Sequence, residues 1–152
     1  MVDSVGDLKA ILAAGVAAAA TAVTIHEDLH SKLLVYPLLA APVALPAEGN
    51  PYTYGVLTEV VPVNGIAANF SIYAISVSAM SANANFVIRM TYGAGDTEHC
   101  IVSLTRGGAQ VASVILRAQG LVVPANSTIK MELADSVGTS TLAVKIQYTL
   151  EV

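Results

Sequence analysis

The residues best equipped for chemistry stand early in the chain, at His26-Glu27-Asp28-Leu29-His30. On a helix, two histidines four apart share one face, where their imidazoles can hold zinc while the glutamate acts as base on a metal-bound water. The preceding Ala22-Val23-Thr24-Ile25 could continue such a helix. Hydrolysis at such a site needs a third ligand and a substrate cleft. Glu48, Glu59 and His99 stand at no recognisable spacing for the ligand, and the chain has no second lobe to form the cleft. Zinc proteases with this pattern usually carry an uncharged residue where Asp28 stands. The motif therefore reads as the polar end of a helix, and no catalytic, cofactor-binding or metal-binding residue is predicted.

The remaining candidates are weaker. Asp96, Glu98 and His99 gather near one loop and could hold a cation, but a solvated loop explains them better. Cys100, the one cysteine, alternates with Val102 and Leu104 on one strand face, so it reads as a small buried hydrophobe without a disulfide partner. Tyr52, Tyr54, Tyr73, Tyr92 and Tyr148 could stack on sugars but are dispersed along the chain. Asn69-Phe70-Ser71 and Asn126-Ser127-Thr128 fit the glycosylation pattern, each beside a strand start where asparagine is a common turn residue. Gly93-Ala94-Gly95-Asp96 has no helix after it and reads as a turn, and nucleophile-elbow, Walker and dinucleotide patterns are lacking.

The elements that would position these residues change character along the chain. Asp3-Ser4-Val5-Gly6-Asp7 can cap a helix in which Leu8, Ile11, Leu12, Gly15, Val16 and Ala19 recur at helical spacing, with alanine on the other faces. A helix apolar all round needs burial on most sides. From Ser31 to Pro51, prolines at 37, 42, 46 and 51 exclude helix and central strand, so this stretch is expected to be an extended arm lying on a surface, its own sandwich or a neighbour's. After Tyr52 the period becomes two. Strands are expected at Val56–Val61, Phe70–Ala79, Asn85–Tyr92, Glu98–Thr105, Gln110–Ala118, Thr128–Ala134 and Leu142–Leu150, separated by Gly, Asn, Asp and Pro clusters. Short alternating strands at this spacing predict an all-β antiparallel sandwich of jelly-roll type. The expected division is an N-terminal helix and arm at 1–51 and a sandwich at 52–152.

Composition narrows the partners. Of the 152 residues, 55% are hydrophobic and 12% charged, against roughly 25% charged in a typical soluble domain. Such a surface turns toward lipid or other protein subunits. The uncharged run from Ala10 to Ile25 is mostly alanine and shorter than the roughly 20 strongly apolar residues a bilayer-crossing helix needs. A secretory-signal reading of that run is set aside because Asp3 and Asp7 make the preceding segment acidic. Neither half holds the basic cluster a nucleic-acid binder needs. Burial against protein, including copies of itself, is the expectation that remains.

The order of segments in the second half carries a resemblance. Phe70-Ser71-Ile72-Tyr73-Ala74-Ile75-Ser76-Val77 leads to Met80-Ser81-Ala82-Asn83-Ala84-Asn85-Phe86. Val122-Val123-Pro124-Ala125-Asn126-Ser127-Thr128-Ile129 and Leu133-Ala134-Asp135-Ser136-Val137-Gly138 follow, before a closing alternating strand. This resembles the small β-sandwich virion proteins of tailed bacteriophages, of the capsid decoration (cement) and head-fibre types. The resemblance implies a homotrimer on the capsid surface that pins neighbouring major capsid proteins. It does not extend to the helix and arm. Two other functions remain open on the residues alone: a host- or glycan-binding fibre or lectin-like module, and a small zinc hydrolase built on His26, Glu27 and His30.

Overall fold

The computed structural model describes residues 33–38, 41–108, 114–118 and 121–151. The expected N-terminal helix, the Ala10–Ile25 run and His26, Glu27 and His30 all lie outside them. The described chain is all β, and its compact unit is Leu33–Val152. Its strands are β1 (Leu34–Tyr36), β2 (Val43–Pro46), β3 (Thr58–Val61), β4 (Phe70–Met80), β5 (Asn85–Tyr92), β6 (Thr97–Thr105), β7 (Val114–Arg117), β8 (Ile129–Asp135) and β9 (Thr141–Leu150).

Two antiparallel sheets face each other. In the first, β1 and β2 both lie against β9, followed by β4 and β7; in the second the order is β3, β8, β5, β6. The pairs are nested: β2 with β9, β3 with β8, β4 with β7, and β5 with β6. A long hairpin wrapped across two sheets gives this pattern, which is the jelly roll expected from the sequence.

Period-two alternation produces the core directly. Phe86, Ile88 and Met90 on β5, Ile129, Met131 and Leu133 on β8, and Leu142, Val144 and Ile146 on β9 are fully buried. Phe70, Ile72, Ile75 and Val77 of β4 complete the facing layer. Tyr73 and Ser78 fall where the β4–β9 register shifts, and these bulges explain why the alternation in β4 breaks.

The proline-rich stretch is extended, as expected, and among the described residues it lies on its own sandwich. Leu34–Tyr36 pairs with 146–148 of β9 and Val43–Pro46 with 141–144, while Leu45 is fully buried. Among the described residues, sheet pairing joins segments on the two sides of the boundary expected between residues 51 and 52. Proline permits these strands because each is short and lies at the sheet edge, where a missing N–H costs no ladder bond.

Candidate interaction surfaces

Backbone bonds close one side of the sandwich. Between β2 and β3 the chain passes from the first sheet to the second. On the way Ala47 N donates to Ser140 O, Gly49 N to Gly138 O, Tyr52 N to Asp135 O and Gly55 N to Leu133 O. Asp135, fully buried at the end of β8, anchors the loop this strap grips. Its carboxylate accepts the N–H groups of Val137, Gly138 and Ser140. Burial alone raises the carboxyl pKa, but the hydrogen-bond donors gathered round it from residues 137–140 outweigh it and hold the pKa below the usual value. Gly138 adopts φ +80°, and a Cβ there would lie 2.7 Å from the Asn50 carbonyl carbon. Only glycine fits so close a strap.

The outer face of the second sheet carries a charged network. Register places Arg89 beside Glu132 and Thr91 beside Lys130. The Arg89 guanidinium pairs with the Glu132 carboxylate, which is nearly buried, and its Cζ lies 4.7 Å from the centroid of the Tyr54 ring. Burial, the largest cause, raises the Tyr54 phenol pKa, against the opposing pull of Arg89. Lys130 Nζ lies 2.7 Å from Asp96 Oδ1. The Arg89–Glu132 pair fastens Tyr54, at the strap's end, to β5 and β8.

The loop chemistry anticipated near residues 96–100 is dispersed by a bulge. The β5–β6 register shifts between Met90 and Thr91, so His99 is the extra residue, packed edge-on against Tyr92 with ring centroids 6.0 Å apart. Burial lowers its pKa, while Glu98 is exposed and Asp96 is engaged by Lys130. Among the described residues no three His, Cys, Asp or Glu side chains are placed to share a metal ion. Cys100 packs partly buried against the core beside Val102 and Leu104. Burial first, and Glu98 second, push its thiol pKa up to about 11, which disfavours the nucleophilic thiolate. The tyrosines form no shared platform: Tyr54 lies over Arg89, Tyr92 against His99, and Tyr148 edge-on to Phe70.

The sequence reading missed the surface with the clearest character. At the end of the sandwich opposite Asp135, loops 62–69 and 121–128 meet. Asn64 N donates to Asn126 O, Asn126 N to Ile66 O, and Ala125 N to Asn69 Oδ1. Val123 and Phe70 exchange backbone bonds. Asn69 and Asn126 thus act as loop fasteners, Asn126 at φ +61°. Neither loop contains a charged residue. Val63, Leu121 and Val122 stand exposed there, Leu121 at 78%, with Leu150 exposed at the adjoining end of β9. The legible signal was the absence of Asp, Glu, Lys and Arg from two loops that the fold brings together.

No protein-family model matches the chain, and no curated protein matches it. Among solved structures, an infectious bursal disease virus particle (Gt strain) matches with 13% identity and a TM-score of 0.41, over 78% of this chain and 32% of that one. The VP2 subviral particle of the same virus matches with 12% identity and a TM-score of 0.38. A carbohydrate-binding module of Cellvibrio mixtus lichenase 5A matches with 11% identity and a TM-score of 0.37, over 74% of this chain and all of that one. The chain spans about a third of the length of the virus chains it matches.

Proposed function

We propose that this chain is a structural virion protein, a capsid decoration (cement) protein that seats an apolar patch at one end of its jelly roll on neighbouring major capsid subunits. The observation that carries this reading is the pole formed by loops 62–69 and 121–128, which hold no charged residue and expose Val63, Leu121 and Val122, with Leu150 exposed nearby and Glu151 at the rim, its N–H donating to Asn69 O. Monomeric proteins seldom leave contiguous apolar surface uncovered. Covering it against a shell contributes about 25 cal/mol per Å² of apolar area. The order of segments in residues 70–150, which resembles phage decoration proteins, supports the same reading. Among the described residues Asp96, Glu132 and Asp135 are paired or held in a turn, and burial pushes the Cys100 thiol toward its neutral form.

The test is occupancy on particles. The full chain is expected to co-sediment with purified virions, and Val63→Asp combined with Leu121→Asp should keep the β-sheet circular dichroism. Carrying two charges into a dry contact should weaken attachment at least tenfold, since about 1.4 kcal/mol already corresponds to that factor. A folded double variant at full occupancy overturns this assignment. Binding of immobilised glycans through the same pole, with no attachment to particles, would replace it by the host- or glycan-binding module.

A further inference from the structure

We propose that strand β6 pairs antiparallel with β6 of a second copy of this chain, about a two-fold axis at Ser103. Three observations lead there, none resting on the apolar pole.

The first is which edges the protein protects. Exposed strand edges present unpaired N–H and C=O groups, and proteins blunt them with short strands, prolines or charges. β1 has three residues and is followed by Pro37; β2 has four and ends at Pro46; β3 has four and is followed by Pro62. β7 has four. β6 runs for nine residues, its stretch 100–105 holds neither charge nor proline, and among the described residues no strand pairs with its far side.

The second is exposure beneath that edge. Cys100, Val102 and Leu104 point inward yet are only partly buried, whereas Phe86, Ile88 and Met90 opposite them on β5 are fully buried. A further strand alongside β6 would cover them.

The third is parity. Arg106 N donates to Ala84 O across the β5–β6 ladder. In an antiparallel ladder hydrogen-bonding direction alternates residue by residue, so Leu104, Val102 and Cys100 bond toward β5, while Ile101, Ser103 and Thr105 turn their N–H and C=O outward. A two-fold pair can use only outward residues opposite outward residues. Centring on Ser103 sets Ser103 opposite itself and Ile101 opposite Thr105 twice, so all three exposed positions bond. It also sets Val102 opposite Leu104 on the inner face and opposes no like charges. Centring on Ile101 would instead run the contact into the His99 bulge.

Analytical ultracentrifugation of the full chain is expected to show even-numbered species, in place of the lone homotrimer that the resemblance to decoration proteins implies. Amides of Ile101, Ser103 and Thr105 should gain hydrogen-exchange protection as concentration rises. Ser103→Pro removes an outward donor without removing a bond to β5, so it should lower the mass to half while the dichroism stays that of the parent. Ser103→Cys in a Cys100→Ala background should form a reducible dimer on oxidation, because directly opposed residues stand about 5.5 Å apart at Cα, within disulfide reach. An odd-numbered species, or a monomer at every soluble concentration, with freely exchanging β6 amides overturns the pairing. So does a folded Ser103→Pro variant of unchanged mass. Loss of particle attachment in the Val63 and Leu121 variants leaves it untouched.

Discussion

The two long sides of this sandwich are built from the same kinds of residues and end in opposite states. On the β2–β3 side, Leu45 and Val61 are fully buried and Val60 nearly so. On the β6–β7 side, Cys100, Val102, Leu104, Val114 and Leu116 are only partly covered. Hydrophobicity does not separate them. The difference is backbone: a strap from Ala47 to Gly55 donates four N–H groups to the β8–β9 end of the sandwich, gripped through Asp135 and Gly138. Apolar side chains supply the driving force for closure on either side, and hydrogen-bonded chain decides where closure happens.

The comparison breaks most completely if the strap and its strands are removed. A chain beginning at Tyr52 loses β1, β2 and Leu45, and its circular dichroism should show loss of the sheet; a chain beginning at Leu33 should keep it. Next comes Leu45→Ala on the closed side, where an unrelaxed cavity should cost about 3–4 kcal/mol in denaturant unfolding. Asp135→Ala orphans three buried donors and should cost about 3 kcal/mol. That carboxyl also gives the fold an acid limit. Its folded pKa is depressed, so its contribution is complete above the unfolded value of about 3.9 and is lost as pH falls through the lower folded value. Asp135→Asn should remove that acid slope from a plot of stability against pH. Arg89→Met leaves Glu132 nearly buried without its partner and should cost about 2 kcal/mol, discounted because Arg89 itself is 36% exposed. The smallest effect belongs to the open side: Leu104→Ala should cost about 1 kcal/mol, its side chain being only partly removed from water.

What the sequence made legible follows the reach of each interaction. Asn85–Tyr92 is an alternating run with turn residues on both sides, and the strand occupies those same residues. Thr128–Ala134 is β8 displaced by one residue at each end, and Leu142–Leu150 is β9 without its first residue. These segments declare themselves because one face must be apolar wherever the strand pairs. β1 and β2 are too short for alternation, and prolines mask them; their strand character comes from β9, about a hundred positions away. Asp135 was legible as a turn residue, but not as the anchor of a strap around residue 50. The apolar pole escaped notice because its halves, the charge-free loops 62–69 and 121–128, are joined only by folding.

The nested pairing also governs the order in which the molecule can be made. β9 is the partner of β1, β2 and part of the β4 ladder, and it is synthesised after all of them. Until then β2 has no ladder partner among the described strands and half the first sheet is missing, while β5 and β6 can already close as a neighbouring hairpin. Contacts this distant in sequence make folding slow and leave apolar strand edges uncovered for longer. The second sheet is therefore expected to form from its β5–β6 hairpin outward, with the first sheet following in one late step. During synthesis the exposed interval falls on β1, β2 and β4, the three strands that wait for β9.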